Sequence, residues 1–67
     1  MTTQQDRENR FNEHATDAQK TALKRLQDRT PDTVIDGPMM GGDGAWVARS
    51  DACNLWYAIE TDGYVHT

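Results

Sequence analysis

The side chains most capable of covalent chemistry are the single cysteine, Cys53, and the two histidines, His14 and His66. A thiol nucleophile needs a base within hydrogen-bond reach and a third group that orients that base. No spacing in the sequence brings Cys53 close to either histidine. We therefore predict no catalytic residues and no enzymatic activity.

The side chains that could bind a metal ion are scattered along the chain. They are His14, His66, Asp43, Asp51 and Asp62. Zinc sites usually contain closely spaced pairs of Cys or His, and an EF-hand loop needs alternating oxygen ligands before a distal Glu. Neither pattern is present, so we predict no metal ion and no cofactor.

A glycine-rich stretch, Gly41-Gly42-Asp43-Gly44, superficially resembles a loop that binds phosphate. Such a loop follows a strand, precedes a helix and usually carries a lysine. Here the next residues, from Ala45 to Val47, have the composition of a strand, and the loop itself carries an acid. The stretch is therefore predicted to be a connector.

The chain of 67 residues is acidic, with 11 Asp and Glu against 7 Lys and Arg and a formal net charge of −4. This balance argues against non-specific binding to nucleic acid or to an anionic membrane, because both depend on cationic side chains. An Asp-rich, Lys-poor composition is typical of a halophilic source or a GC-rich genome. One cysteine excludes an internal disulfide, and with no apolar leader segment this favours the cytoplasm.

Residues 1–10 are polar almost throughout. Such a segment buries too little apolar surface to offset its ordering entropy. We predict a disordered or loosely helical N-terminal segment, followed by a single domain over residues 11–67.

Apolar residues recur at helical spacing from Phe11 to Arg29. Thr16 and Gln19 have the spacing of a capping box, in which each side chain bonds the backbone of the other residue. The helix is predicted either to begin at Thr16 or to run unbroken from about Asp6. Pro31 ends it.

The apolar period changes from that of a helix to two, which is typical of strands, in the second half of the chain. Strands are predicted over Ala45–Arg49, Leu55–Thr61 and Tyr64–Thr67, with Asp32–Asp36 as a further edge strand if it pairs. The expected fold is α+β, with one amphipathic helix on one face of a three-stranded, or four-stranded, antiparallel meander. Asp62-Gly63 predicts a two-residue hairpin turn that places Ile59 opposite His66 and Glu60 opposite Val65.

The register of the first hairpin depends on its loop. A four-residue loop over Asp51–Asn54 places Ser50 opposite Leu55, whereas a five-residue loop would exchange the faces of strand Ala45–Arg49. With the shorter loop, one face is large and uncharged, and we expect it to receive the helix. Its members are Trp46, Ala48, Leu55, Tyr57, Ile59 and Tyr64.

The opposite face is predicted to contain the site of function. Its members are Val47, Arg49, Trp56, Ala58, Glu60 and Val65. A solvated sheet face seldom carries Trp and two Val, and Trp and Arg are enriched at interface hot spots. We predict a small non-catalytic interaction module or regulator that binds another protein, or a second copy in a homodimer, through Trp56, Arg49, Val47, Glu60 and Val65. Alternatively, Trp56 packs under the loop that contains Met39 and Met40, or against the N-terminal segment.

Two other functions remain open from the sequence. An acidic regulator could mimic nucleic acid and block a nucleic-acid-binding protein, using carboxylates near strand ends and loops. These are Asp32, Asp36, Asp43, Asp51 and Asp62. A nucleic-acid binder could instead stack bases on the sheet aromatics, although the acidic balance makes direct binding to nucleic acid the weakest of the three hypotheses.

Overall fold

The computed structural model describes residues 3–41 and 43–67. Positions 1 and 2 of the predicted N-terminal segment, and position 42 of the glycine-rich stretch, lie outside the described residues. Across the described residues the chain forms two helices and then four strands. These are α1 (Gln4–His14), α2 (Asp17–Arg29), β1 (Val34–Pro38), β2 (Trp46–Ser50), β3 (Leu55–Ile59) and β4 (Val65–His66). The strands form one antiparallel sheet in the order β1-β2-β3-β4, so the predicted α+β fold is confirmed in its four-stranded form.

The predicted helix start at Thr16 is confirmed for α2, whereas an unbroken helix from about Asp6 is wrong. The Thr16 hydroxyl accepts a hydrogen bond from the Gln19 amide at 3.1 Å, and the Gln19 side chain accepts one from the Thr16 amide at 2.9 Å. Ala15 is extended, with φ −71° and ψ 153°, and it separates α1 from α2. The capping box therefore starts a new helix, because it satisfies amides that have no partner within the first turn.

Residues 4–10, for which the sequence predicts disorder or loose helix, form most of α1. A second capping box joins Thr3 and Asp6 at the start of this helix. The Gln4 side-chain amide donates to the Ile35 carbonyl at 2.7 Å, and Phe11 is 1% exposed. The segment lacks apolar residues of its own, but polar contacts with β1 and the buried Phe11 ring hold it against the sheet.

The predicted register of the β2–β3 hairpin is confirmed. Ser50 pairs with Leu55 and Trp46 with Ile59, as a four-residue loop requires. Asn54, the last residue of that loop, has φ 53°. Asn tolerates this left-handed backbone better than most residues, which suits it to the last position of this loop.

The predicted register of the β3–β4 hairpin is wrong by one residue. Ile59 pairs with Val65, because the connection is a three-residue loop, Thr61–Gly63, rather than a two-residue turn. The Glu60 amide bonds the Tyr64 carbonyl at 2.8 Å and the Gly63 amide bonds the Glu60 carbonyl at 2.9 Å. Gly63 has the left-handed φ of 88° that such a loop needs at its last position.

The one-residue shift exchanges the faces of β4. Val65 lies on the same face as Ile59 and packs against the core, whereas Tyr64 lies on the opposite face and is 61% exposed. The predicted positions of these two side chains are therefore reversed.

Both helices lie over one face of the sheet, which we call the inner face. The buried residues that form its hydrophobic core with the helices are Phe11, Ala22, Ile35, Trp46, Ala48, Tyr57 and Ile59. Phe11 meets Trp46 edge to face, with ring centroids 5.4 Å apart and planes at 87°, a favourable arrangement of aromatic rings. Leu55, predicted for this face, is 41% exposed.

Candidate interaction surface

The other side of the sheet, which we call the outer face, carries no helix in the described part of the chain. Cross-strand pairing places the following residues on it: Val34, Val47, Arg49, Trp56, Ala58, Glu60, Tyr64 and His66. Val34, Arg49 and Trp56 form one row across the strands, and Val47, Ala58 and His66 form the next. The outer face therefore carries apolar side chains in both rows, with Arg49 between Val34 and Trp56 in the first row.

Trp56 is the largest apolar side chain of the outer face, and it is 56% exposed. The Met39–Met40 loop does not cover Trp56, because it follows Pro38, which pairs with Trp46, whereas Trp56 pairs with Arg49 near the other end of β2. A half-exposed Trp next to partly buried aliphatic side chains is the kind of contact residue that protein interfaces favour.

Arg49 is held in place beside Trp56 by two carboxylates. Its Nε lies 3.2 Å from Asp36 Oδ1, and its Nη1 bonds Asp51. The hydrogen bond and charge of Asp51, with a smaller effect from Asp36, raise the pKa of Arg49 above its usual value. These two ion pairs restrict the orientation of the guanidinium within the chain.

Asp36 is in this position because of an irregularity in β1. The β1–β2 register shifts between Ile35 and Gly37, which makes Asp36 the extra residue of a β-bulge. Its Oδ1 lies 3.5 Å from Arg7 Nη1 of α1 as well as close to Arg49. A bulge turns a side chain away from regular alternation. Here the bulge orients the Asp36 carboxylate so that it bonds Arg49.

An aromatic pair lies at the β4 end of the outer face. The rings of Tyr64 and His66 are 4.5 Å apart at 68°, and His66 Nε2 lies 3.6 Å from Glu60 Oε1. Sequence reasoning did not assign Tyr64 or His66 to this surface, because the Asp-Gly signal is equally compatible with two-residue and three-residue loops.

Four of the five predicted partner-binding residues are brought together. Trp56, Arg49, Val47 and Glu60 share the outer face, whereas Val65 lies on the inner face because of the shifted β3–β4 register. The outer face therefore lacks Val65, but it contains another valine, Val34 of β1, which pairs with Arg49.

The potential nucleophile and metal ligands lie apart from one another. Cys53 is exposed in the β2–β3 loop, His14 lies 3.8 Å from Glu13, and His66 lies beside Glu60. In residues 3–41 and 43–67, no three His, Cys, Asp or Glu side chains converge as a metal site would require. The absence of enzymatic activity stays a prediction.

Several of the acids considered for nucleic-acid mimicry bond within the chain. Asp32 accepts bonds from the Ala52 amide at 2.7 Å and the Ser50 hydroxyl at 2.8 Å, and these lower its pKa. Asp36 and Asp51 bind Arg49, and Asp62 accepts a bond from the Tyr64 amide at 3.0 Å. These carboxylates therefore mainly stabilise loops and strands of the chain itself.

Comparisons of this chain with known protein families, with curated proteins and with solved structures find no match. Of the helices in the described residues, none has both the length and the apolar character needed to span a membrane.

Proposed function

We propose that this chain is a small, non-catalytic interaction module that binds another protein chain through its outer face. The observation that carries this proposal is the Trp56 ring, which is 56% exposed on a sheet face that no helix of the described residues covers. A solvated sheet face is ordinarily polar, so an exposed Trp on the same face as Val34 and Val47 is best explained by a contact surface.

The fixed guanidinium of Arg49 adds to this support. The loss of side-chain entropy when a long side chain is ordered on binding costs about 0.5–1.5 kcal/mol of binding free energy. The bonds to Asp36 and Asp51 already order the Arg49 side chain in the free protein, so less of this free energy is lost on binding. Trp56 and Arg49 together form a preorganised pair of residue types that are frequent at hot spots.

The proposed partner is either a second copy of the chain or a different protein. Charges on the outer face are locally balanced, since Arg49 pairs with Asp36 and Asp51, and His66 lies beside Glu60. A second copy would therefore meet little like-charge repulsion there.

A cytoplasmic location is part of this proposal. It is supported by the single cysteine, because a small secreted domain usually contains an internal disulfide and one cysteine cannot form one. Acidic mimicry receives less support, because most of its proposed carboxylates have partners within the chain.

The first experiment is sedimentation equilibrium of the wild type, Trp56→Ala and Met40→Ala. Met40 is a matched control, because it is the most exposed large apolar residue of the described chain and lies in the loop after β1. If the partner is a second copy, Trp56→Ala should weaken dimerisation at least about tenfold, and Met40→Ala should leave it unchanged.

If the wild type is a monomer, a photo-crosslinking residue at position 47 should identify the partner in cells of the host. The same residue at position 13, which is exposed on α1, is the control. Adducts from position 47 should be absent from position 13 and should be lost in the Trp56→Ala background. Identical adducts from both positions, or adducts that persist without Trp56, would contradict the proposal.

A further inference from the structure

A second surface, separate from the outer face, lies between α2 and the β4 edge of the sheet. It is a groove of about 530 Å³. Its floor is apolar and is formed by Ala22, Leu26, Tyr57 and Val65, all buried or partly buried. The volume falls in the range of ligand sites, so the groove has room for several side chains of a partner.

Two arginines line this groove along α2. Arg25 and Arg29 are exposed and are four residues apart, so they lie on the same side of the helix with a rise of about 6 Å between them. Among the described residues, neither guanidinium is within ion-pair distance of a carboxylate. Asp62 lines the end of the groove near Gly63 and accepts a bond from the Tyr64 amide. The charged side chains that line the groove are therefore two arginines and one aspartate, an excess of one positive charge in a chain of net charge −4.

The two edges of the sheet differ in how they are covered. At the β1 edge, Gln4 of α1 bonds the Ile35 carbonyl. At the β4 edge, Val65 and His66 pair with β3 on one side, and no strand of the described chain lies on the other side. Because Glu60 bonds Tyr64, the alternation of an antiparallel ladder directs the backbone N–H and C=O of Val65 away from β3. These groups are available to an added strand.

We propose that this groove binds an acidic, extended peptide segment of another protein, which adds to β4 as a fifth strand. Strand addition supplies main-chain hydrogen bonds, and side-chain pockets supply specificity. Side chains two apart on a strand are separated by about 6.6–6.8 Å, close to the spacing of Arg25 and Arg29. Acidic side chains at alternate positions can therefore reach both guanidiniums, while an apolar side chain two positions further along, on the same face of the added strand, contacts Leu26 and Val65.

A second copy of this chain fits the groove poorly. Symmetric pairing of two β4 edges would bring the α2 helix of each copy to the same side of the joined sheet, with both Arg25–Arg29 pairs facing the interface. Like charges opposed in this way disfavour association. The groove therefore favours an acidic partner over self-pairing.

The test is selection of random eight-residue peptides displayed on phage against the wild type and two charge-reversed variants. Arg25→Glu with Arg29→Glu removes the proposed contacts. Lys20→Glu with Lys24→Glu is the matched control, because it makes the same charge change at the same spacing on α2 but in the groove between α1 and α2. Arg25→Gln with Arg29→Gln serves as the milder variant if the Glu pair unfolds.

Wild type and the lysine variant should enrich peptides with Asp or Glu at alternate positions, and the arginine variants should not. A synthetic peptide from the selection should bind the arginine variants at least about tenfold more weakly than the wild type. It should also slow hydrogen exchange at the Val65 amide, with the His66 amide, which faces β3, as internal reference.

Several results would overturn the proposal. They are failure to enrich acidic peptides, equal losses in the lysine and arginine variants, and unchanged exchange at Val65. Self-association of the wild type that is lost in Arg25→Gln/Arg29→Gln would assign the groove to a second copy instead. The Trp56→Ala variant should bind the selected peptide normally, which separates this groove from the outer face.

Discussion

Trp46 and Trp56 lie on neighbouring strands of the same sheet and serve opposite purposes. Trp46 is 6% exposed on the inner face, where Phe11 meets its ring edge-on. Trp56 is 56% exposed on the outer face beside Arg49. Both positions follow from strand alternation, but the two helices of the described chain lie on the same side of the sheet. Trp46 therefore stabilises the fold, and Trp56 is available for contact with another molecule.

The inner face, which contains Trp46, also holds the polar helix α1 against the sheet. Its single buried residue is Phe11, and its other contacts with the sheet include Gln4 to Ile35 and Arg7 to Asp36. Docking of α1 therefore depends on one aromatic contact in the core and on polar bonds at the β1 edge. Changes on the two faces should differ accordingly in their effect on stability.

The largest effect is expected for Phe11→Ala. Emptying a buried Phe site typically costs about 3–5 kcal/mol, which is comparable to the whole stability of about 5 kcal/mol expected for a small domain. Urea denaturation followed by circular dichroism should show an unfolded or nearly unfolded variant. Met40→Ala, which removes a 97% exposed side chain, should change the free energy of unfolding by less than about 0.5 kcal/mol. Similar midpoints for both variants would mean that α1 does not dock on Trp46.

The next largest effect is expected for Gln19→Met. The buried Gln19 amide donates to the carbonyls of Gly44 at 2.8 Å and Ile59 at 3.1 Å, and its oxygen completes the Thr16 capping box. Methionine fills the space but leaves these groups unpaired, at a cost of about 1–3 kcal/mol for a buried polar group. Gln27→Met, which loses one half-buried bond to the Thr33 carbonyl, should cost less in the same urea titration. A larger loss for Gln27→Met would contradict the central role of Gln19.

The parts of the fold that depend on local chemistry could be predicted from the sequence. The Thr16–Gln19 capping box marks the start of α2, and Ser50 opposite Leu55 follows from the length of the Asp51–Asn54 loop. These features are determined within a few residues of chain. The four outer-face residues Trp56, Arg49, Val47 and Glu60 follow from the same register.

The remaining features depend on distant contacts. Asp62-Gly63 suits both loop lengths, and the choice is made where the loop meets α2, since Thr16 Oγ1 bonds the Thr61 carbonyl at 2.6 Å. The ordering of residues 4–10 depends on β1, far along the chain. The groove beside Arg25 could not be predicted from the sequence, because the predicted register placed Val65 on the other face of the sheet. The four-residue spacing of Arg25 and Arg29 did indicate that both arginines lie on one side of α2.

Gly63→Ala tests the loop contact that sets this register. A Cβ at Gly63 would lie 2.9 Å from the Ala18 carbonyl oxygen, on a residue whose φ is 88°. Gly41→Ala is the matched control, because φ there is 78° and nothing lies within 4 Å of its Cβ. Left-handed backbone alone costs about 1 kcal/mol for Ala, so Gly63→Ala should be more destabilising than Gly41→Ala by thermal melting. Equal losses would mean that the loop does not press against α2.

A smaller, pH-dependent effect is expected at Asp32. Bonds from the Ala52 amide and the Ser50 hydroxyl lower its pKa below the usual 3.8, so the folded state favours the ionised carboxylate. The resulting stability is fully present above the pKa of the unfolded chain and is lost as pH falls through the lower folded value. The difference in urea midpoint between wild type and Asp32→Asn should therefore be constant near neutral pH and shrink below pH 3.8. The difference in urea midpoint between wild type and Ser50→Ala should depend less on pH. A difference between wild type and Asp32→Asn that does not change with pH would contradict the lowered pKa of Asp32.

The smallest effect on stability is expected for Trp56→Phe and Trp56→Ala. The Phe variants also allow the fluorescence of the two tryptophans to be measured one at a time. Because Trp56 is more than half exposed, its replacement should change the free energy of unfolding by less than about 0.5 kcal/mol. Trp56→Phe leaves Trp46 as the sole indole, so emission should shift to shorter wavelength and resist quenching by iodide. Trp46→Phe should do the opposite, leaving an indole that iodide quenches readily. If Trp56→Ala unfolds the chain, Trp56 belongs to the core. If Trp56 emission is already protected from iodide in the wild type and becomes accessible only on dilution, a second copy covers the outer face.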